Sequence, residues 1–245
     1  HTNKGHWNLC HIPLLPVTGT PRPGDYCSPF SHERESAAPG YYQVFLDRYG
    51  VDAQLSSPLR CAFHKYTYPA GAAASLLADL RRSNEHVRAW DIHKESDNVF
   101  AGWQQTGEKM YFYAVANRPV TGIEPVVEGD REVRIVRFGE GDGALELRIG
   151  FSFVSEKNAR ENLEDDMLGK SFAEVRSAAT APWNHVLGLI RVAGGTEREK
   201  GLFYSSLYRS FLWPALRSDV NGEFTDVDGK VPNPGLRYYT GSSCW

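Results

Sequence analysis

The sequence predicts a mainly β protein: an antiparallel β-sandwich over residues 1–155, followed by helices through residues 156–245. Three observations predict it. Short alternating runs recur every 10 to 20 residues with Gly, Pro, Asn or Asp between them, a spacing that suits an antiparallel sandwich and not βαβ units. The hydrophobic period changes from two to 3.6 at Ser155. Aromatic residues make up 12%, with 6 Trp and 12 Tyr; that wealth fits a pleated surface and equally a sugar-binding one.

The strands follow in order. Tyr42 to Leu46 forms a run that turns at Tyr49-Gly50 and returns through Val51 to Leu55. Residues 60–69 alternate until Pro69 ends them. Residues 86–93, 98–105, 109–117 and 131–139 are further strands. The last, 143–155, places Leu145, Leu147, Ile149, Phe151 and Phe153 on one face. One stretch, 71–83, is rich in Ala and Leu and suits a short helix or an edge strand. Beyond Ser155, Ala159, Leu163 and Met167 form a stripe at a spacing of four, predicting a helix over 156–168. Ser171 and Glu174 form a capping box that opens a helix over 171–191, which Pro182 should kink or split. Thr196 and Glu199 form a second capping box, opening a helix over 196–213. Its Phe203/Leu207/Phe211 and Tyr204/Tyr208/Leu212 rows predict a helix buried between neighbours, and Pro214 stops it. Residues 215–245 read as irregular. Three helices with such broad apolar faces do not close a bundle, so the chain is expected to be a piece of a longer protein.

Composition excludes several classes. The 27 Lys+Arg against 30 Asp+Glu give a net charge of −3, with no excess for a nucleic acid or an anionic membrane. No apolar stretch approaches the roughly 18 residues of a membrane span. Cysteines 10, 27, 61 and 244 form no C-x-x-C pair, which argues against a structural zinc site.

At "PFSHERESAAPGYYQVFL" the chain resembles the N-terminal domain of glycoside hydrolase family 92, the exo-acting α-mannosidases. Phe30, Ser31, His32, Glu33, Glu35, Ala37, Pro39, Gly40, Tyr41, Tyr42, Val44 and Leu46 match the family's pattern F-S-H-E-x-E-x-A-x-P-G-Y-Y-x-V-x-L. Arg60, His64, Tyr66, Thr67 and Pro69 are similar to its R-x-x-x-H-R-Y-T-F-P, with Lys65 in place of Arg. Ser152, Phe153, Val154, Ser155, Ala159, Asn162 and Leu163 match S-F-V-S-x-x-x-A-x-x-N-L. "FYSSLYRSFLWP" and "YYTGSSCW" resemble two later motifs, with Ser242 replacing a Phe and Trp245 in a W-D pair. The five matches occur in the family's order.

The resemblance implies a β-sandwich, here 1–155, then the beginning of an (α/α)6 barrel catalytic domain, here 156–245 and incomplete. It implies an enzyme that releases mannose from α-linked mannosides of N-glycans or mannans, with inversion and with calcium (Ca2+). Its partners would be mannose-containing glycans and its location secreted or periplasmic. Inversion needs two carboxyl groups roughly 6.5–9.5 Å apart, and calcium wants about six to eight oxygen ligands. The resemblance places the acid, the base and most calcium ligands past residue 245, so this chain alone is expected to be inactive. It also implies that Trp7 and His6, on a loop reaching the sugar from the sandwich side, and Trp245 contact substrate, with plain packing as the alternative for both tryptophans. The alternative is a non-catalytic carbohydrate-binding or structural sandwich.

Other polar clusters read as structural. Glu33 and Glu35, two apart, would share one face of a strand as a solvated or ion-paired set. Glu164, Asp165 and Asp166 suit a solvated helical face; Asp226, Asp228 and Gly229, and likewise Asp25, suit turns. His1, His6 and His11, spaced by five, share no face and make a poor metal site. His32 and His64 are expected in core or inter-strand hydrogen bonds.

Overall fold

A computed structural model describes residues 11–212 and 214–240. Twelve strands come first: β1 (Leu14–Val17), β2 (Glu35–Ala38), β3 (Tyr41–Leu46), β4 (Val51–Ser56), β5 (Cys61–Thr67), β6 (Ser75–Ala78), β7 (Ala89–Ser96), β8 (Val99–Gln105), β9 (Lys109–Ala116), β10 (Val120–Glu128), β11 (Arg131–Phe138) and β12 (Leu145–Ser152). Helices α1 (Glu156–Met167), α2 (Phe172–Leu187) and α3 (Glu197–Ser210) follow, then a two-residue pair, β13 (Ala215–Leu216) with β14 (Tyr239–Thr240). An eight-stranded sheet runs β2-β3-β4-β5-β12-β9-β8-β7 and a four-stranded sheet runs β1-β6-β11-β10. Their ladders are antiparallel.

The period-two pattern decides what lies between the sheets. Phe100, Phe112, Ile135, Leu145, Leu147 and Ile149 are fully covered there, each burial contributing about 1.5–3 kcal/mol. A second, smaller core lies where α1 and α2 pack on the large sheet: Tyr41, Cys61 and Phe63 meet Leu163, Met167, Phe172 and Val175. Phe63 and Phe172 meet edge to face at 5.3 Å. The fully buried row along β12 ends at Ile149. Gly150 follows because a Cβ there would stand 2.0 Å from the Ala159 carbonyl oxygen of α1. Phe151 continues the row half-buried, packed against the same core, and Phe153 lies past the strand.

Several expectations are corrected. The Ala/Leu stretch is neither helix nor edge strand: β6 sits between β1 and β11 with all four residues buried. Leu76 and Leu77 are fully buried in the core, and pairing on both sides outweighs the stretch's helix preference. Glu33 belongs to a 3-10 turn (His32–Arg34) and Glu35 to β2, so the two share no strand. Pro182 does not split α2, which runs through it and stops at Gly188 rather than residue 191; the i−4 residue Ala178 is exposed, so its carbonyl can be solvated. α3 has no buried residue, and Leu202 remains 60% exposed. Among the described residues its apolar rows meet α2, where the Trp183 and Tyr208 rings lie 4.6 Å apart, and the loop after it, where Tyr204 Oη donates to the Ile190 carbonyl at 3.3 Å. Residues 215–240 are not wholly irregular, since β13 and β14 pair.

Candidate functional site

The starts of β5, β9 and β7 and the ends of β12 and β8 are neighbours in the register. They form one rim of the large sheet. His11, just before β1, stands on this rim, and the chain leaves it through Phe153 into α1. Residues 216–219 return to the same place. Together they line a cleft of about 320 Å³ bounded by His11, Arg60, Met110, Phe153, Arg217 and Asp219.

The wall is fixed by a buried polar network. Asp219 is buried, and its carboxylate accepts from Ser152 Oγ (2.6 Å), Asn158 Nδ2 (2.8 Å) and Asn162 Nδ2 (2.7 Å). Asn162 also donates to the Phe151 carbonyl and accepts from the Val220 amide. Arg60 Nε donates to the Ser218 carbonyl at 2.9 Å. Three donors on one carboxylate satisfy the desolvation demand of a buried charge. Asp219 therefore anchors the returning chain to α1 and β12.

The open side is more reactive in character. The Arg217 guanidinium lies 3.4 Å from the Phe153 ring centroid and donates to Glu108 Oε1 at 2.6 Å. His11 Nδ1 is buried with no hydrogen-bond partner among the described residues. Burial lowers the His11 pKa, while Glu85 and Glu108 oppose the shift. The adjacent Ile12 amide donates to Gln104 Oε1 at 2.8 Å, fixing the approach of the chain to His11.

The remaining candidate residues fall elsewhere. His6, Trp7 and Trp245, with His1, lie outside the described residues. His32 is not in the core: it is on the surface, with Nδ1 2.5 Å from Glu35 Oε2, because the 3-10 turn carries it outward. Glu35 also accepts from Tyr42 Oη at 2.6 Å. His64 is half-buried on β5, with Nδ1 2.7 Å from Tyr66 Oη of the same strand, and burial pushes its pKa down to about 4. Of the acidic helix run, Asp166 accepts the Arg60 amide. Asp226 caps a turn through the amides of Asp228 and Lys230. Asp25 pairs with Arg48. Among the described residues no three His, Cys, Asp or Glu side chains form a metal-sized group, so the residues on this rim do not by themselves fit a calcium ion. Of the anchoring residues, Asn162 was named in sequence only as part of a family motif, and Asn158 and Asp219 were not singled out. The available signal was two carboxamides four apart inside the apolar stripe of α1.

A sandwich whose rim is joined to helices by both the outgoing and the returning chain has a close match among known proteins. The sequence model of the glycosyl hydrolase family 92 N-terminal domain matches residues 1–159, and that of the family's catalytic domain matches residues 158–245. The chain is thus a glycosyl hydrolase segment. It belongs to glycosyl hydrolase family 92.

An uncharacterized secreted glycosidase of Arthroderma benhamiae is 33% identical over 240 residues, covering 80% of this chain and 30% of that protein. A family GH92 α-mannosidase from Bacteroides thetaiotaomicron superposes with a TM-score of 0.87 at 25% identity, covering 95% of this chain and 36% of that one. The same enzyme has been solved with mannoimidazole. A second GH92 glycosyl hydrolase, ccman5, gives a TM-score of 0.83 at 26% identity, covering 94% of this chain and 36% of its own. The chain therefore spans about a third of the length of the proteins it matches.

Proposed function

We propose that the complete protein is an α-mannosidase that releases mannose from α-linked mannosides with inversion, and that it uses calcium. The likeness to the Bacteroides α-mannosidase across 95% of this chain carries the proposal; that enzyme's complex with mannoimidazole supports a mannose-shaped site. In this reading residues 1–155 are the sandwich unit, and 156–245 are the linker and first part of the catalytic barrel. The cleft at Arg217 is the sandwich's wall of the active site. Its residues bind and orient: Arg217 and Arg60 fix the returning chain, and His11 offers a neutral imidazole to a hydroxyl.

In this reading the general acid, the general base and most calcium ligands lie outside residues 1–245; of the carboxylates at this wall, Asp219 already holds three donors and Glu108 is paired with Arg217. His6 and Trp7 contact the sugar in this reading; Trp7 is four residues from His11, a tether of at most about 14 Å. In the same reading Trp245 is a further sugar contact. Secretion fits the secreted fungal relative; no helix among the described residues is long and apolar enough to cross a membrane.

The test is hydrolysis of an aryl α-mannoside by the complete protein, with and without a chelator, beside residues 1–245 alone. The expected result is chelator-sensitive release by the complete protein only. Release that survives chelation removes calcium from the account. Turnover by residues 1–245 shows the catalytic carboxylates to be within this chain.

A further inference from the structure

A second concavity opens on the same rim. It holds about 730 Å³ and is built by three stretches distant in sequence: Pro23 to Tyr26, Asp79 to Trp90, and Asp130 to Val133 where β11 begins. That volume lies within the range of about 300–1,000 Å³ typical of ligand sites. Its chemistry is specific. Four arginines and four carboxylates line it, so neither sign of charge prevails. Two aromatic side chains, Tyr26 and Trp90, share it with them. Their positions are fixed from behind: Tyr26 Oη donates to Asp79 Oδ2 at 2.5 Å, Arg82 donates to Tyr26 Oη at 3.2 Å, and the Arg134 guanidinium sits 4.9 Å from the Trp90 ring. Rings for C–H faces, with carboxylates and guanidinia in balance for hydroxyls, suit a neutral polyol better than an ion.

Its placement names the polyol. Trp90 pairs with Gln104, and Gln104 pairs with Met110, which lines the Arg217 cleft. Two strand spacings therefore separate the concavities, roughly 10 Å at 4.7–4.9 Å per strand. One turn divides them: the Gly107 amide holds Glu85 on one side, and Glu108 holds Arg217 on the other. Gln104 joins them from beneath, donating to the Leu80 and Arg82 carbonyls while accepting from Ile12.

We propose that the groove at Tyr26, Arg88 and Trp90 binds the inner sugars of a mannose-containing oligosaccharide whose non-reducing, reacting end occupies the Arg217 cleft. The proposal rests on the α-mannosidase reading and adds a preference for long glycans over small glycosides. An aryl mannoside is too short to reach the groove, so the two substrates separate the two sites.

The experiment compares aryl α-mannoside with α-mannopentaose on the complete protein carrying Trp90→Ala or the exposed Arg88→Ala, which spares the core. The expected result is a rise in KM for the pentasaccharide of about tenfold with kcat held, and no matching change for the aryl substrate. Equal losses on both substrates, or no loss with either variant, overturn the proposal. Should the wild-type protein cleave neither substrate, the hydrolase reading fails on its own. Titration of α-mannopentaose by calorimetry then decides the groove: binding weakened by Arg88→Ala upholds a glycan site, and no binding, or binding indifferent to the variant, overturns it.

Discussion

Replacing Asp219 with alanine is expected to detach residues 215–225 from α1 and β12. Three buried donors, on Ser152, Asn158 and Asn162, lose their acceptor together. A hydrogen bond to a charged group contributes about 1.5–3 kcal/mol, and stranded buried donors cost more than a bond removed cleanly. The loss is therefore expected to be about 3 kcal/mol or more, short of the full sum because the donors relax toward water. Asp219→Asn keeps the shape but turns an amide toward donors, so it falls between the two. Thermal melting and limited proteolysis of the protein check this, with new cleavage expected between residues 212 and 226. An Asp219→Ala protein that melts like the wild type and gains no cleavage site contradicts the anchoring role.

Gly150→Val is expected to be as severe by a different route. A Cβ at Gly150 would stand 2.0 Å from the Ala159 carbonyl oxygen and 2.8 Å from Leu163 Cβ. The first obstacle is helix backbone, which cannot swing aside as a side chain can. α1 must lift from β12, drawing Asn158 and Asn162 away from Asp219 and Cys61 Sγ away from the Asn162 carbonyl, now 3.3 Å apart. Overpacking of this kind costs about 3 kcal/mol, and more when a whole helix moves. Gly201→Ala is the contrast: it sits in α3 with nothing within 4 Å, so it gains about 0.5–1 kcal/mol from helix propensity. Denaturant unfolding of the three proteins reads both effects. Gly150→Val matching the wild type would mean that α1 does not press on the sheet.

The same contacts explain what the sequence made legible. β3, β5, β9 and β12 each have one face in the core, so their alternation was readable, and the capping boxes at Ser171 and Thr196 gave the starts of α2 and α3. β6 was ambiguous because a strand with every residue buried carries no period, and Ala and Leu favour a helix. β10 escaped notice because its outward residues and Pro125 blur the pattern on the edge of the small sheet. α3 was expected to be buried from its apolar rows, but Phe203, Tyr204, Leu207 and Tyr208 are only half-buried and Phe211 and Leu212 are exposed. The family resemblance came from motifs that proved to be packing and anchoring residues, such as Ser152 and Asn162. The rim itself was beyond local patterns: His11, Arg60, Met110 and Arg217 meet only once the sheet has closed, and no spacing in the chain records that meeting.

The central claim is that this rim forms one wall of an inverting α-mannosidase site. Proton NMR of the complete protein acting on an aryl α-mannoside tests it most directly, by recording which anomer of mannose appears first. The account predicts the β-anomer, followed by slow mutarotation. First appearance of the α-anomer, or no release of mannose from any α-mannoside, would contradict it.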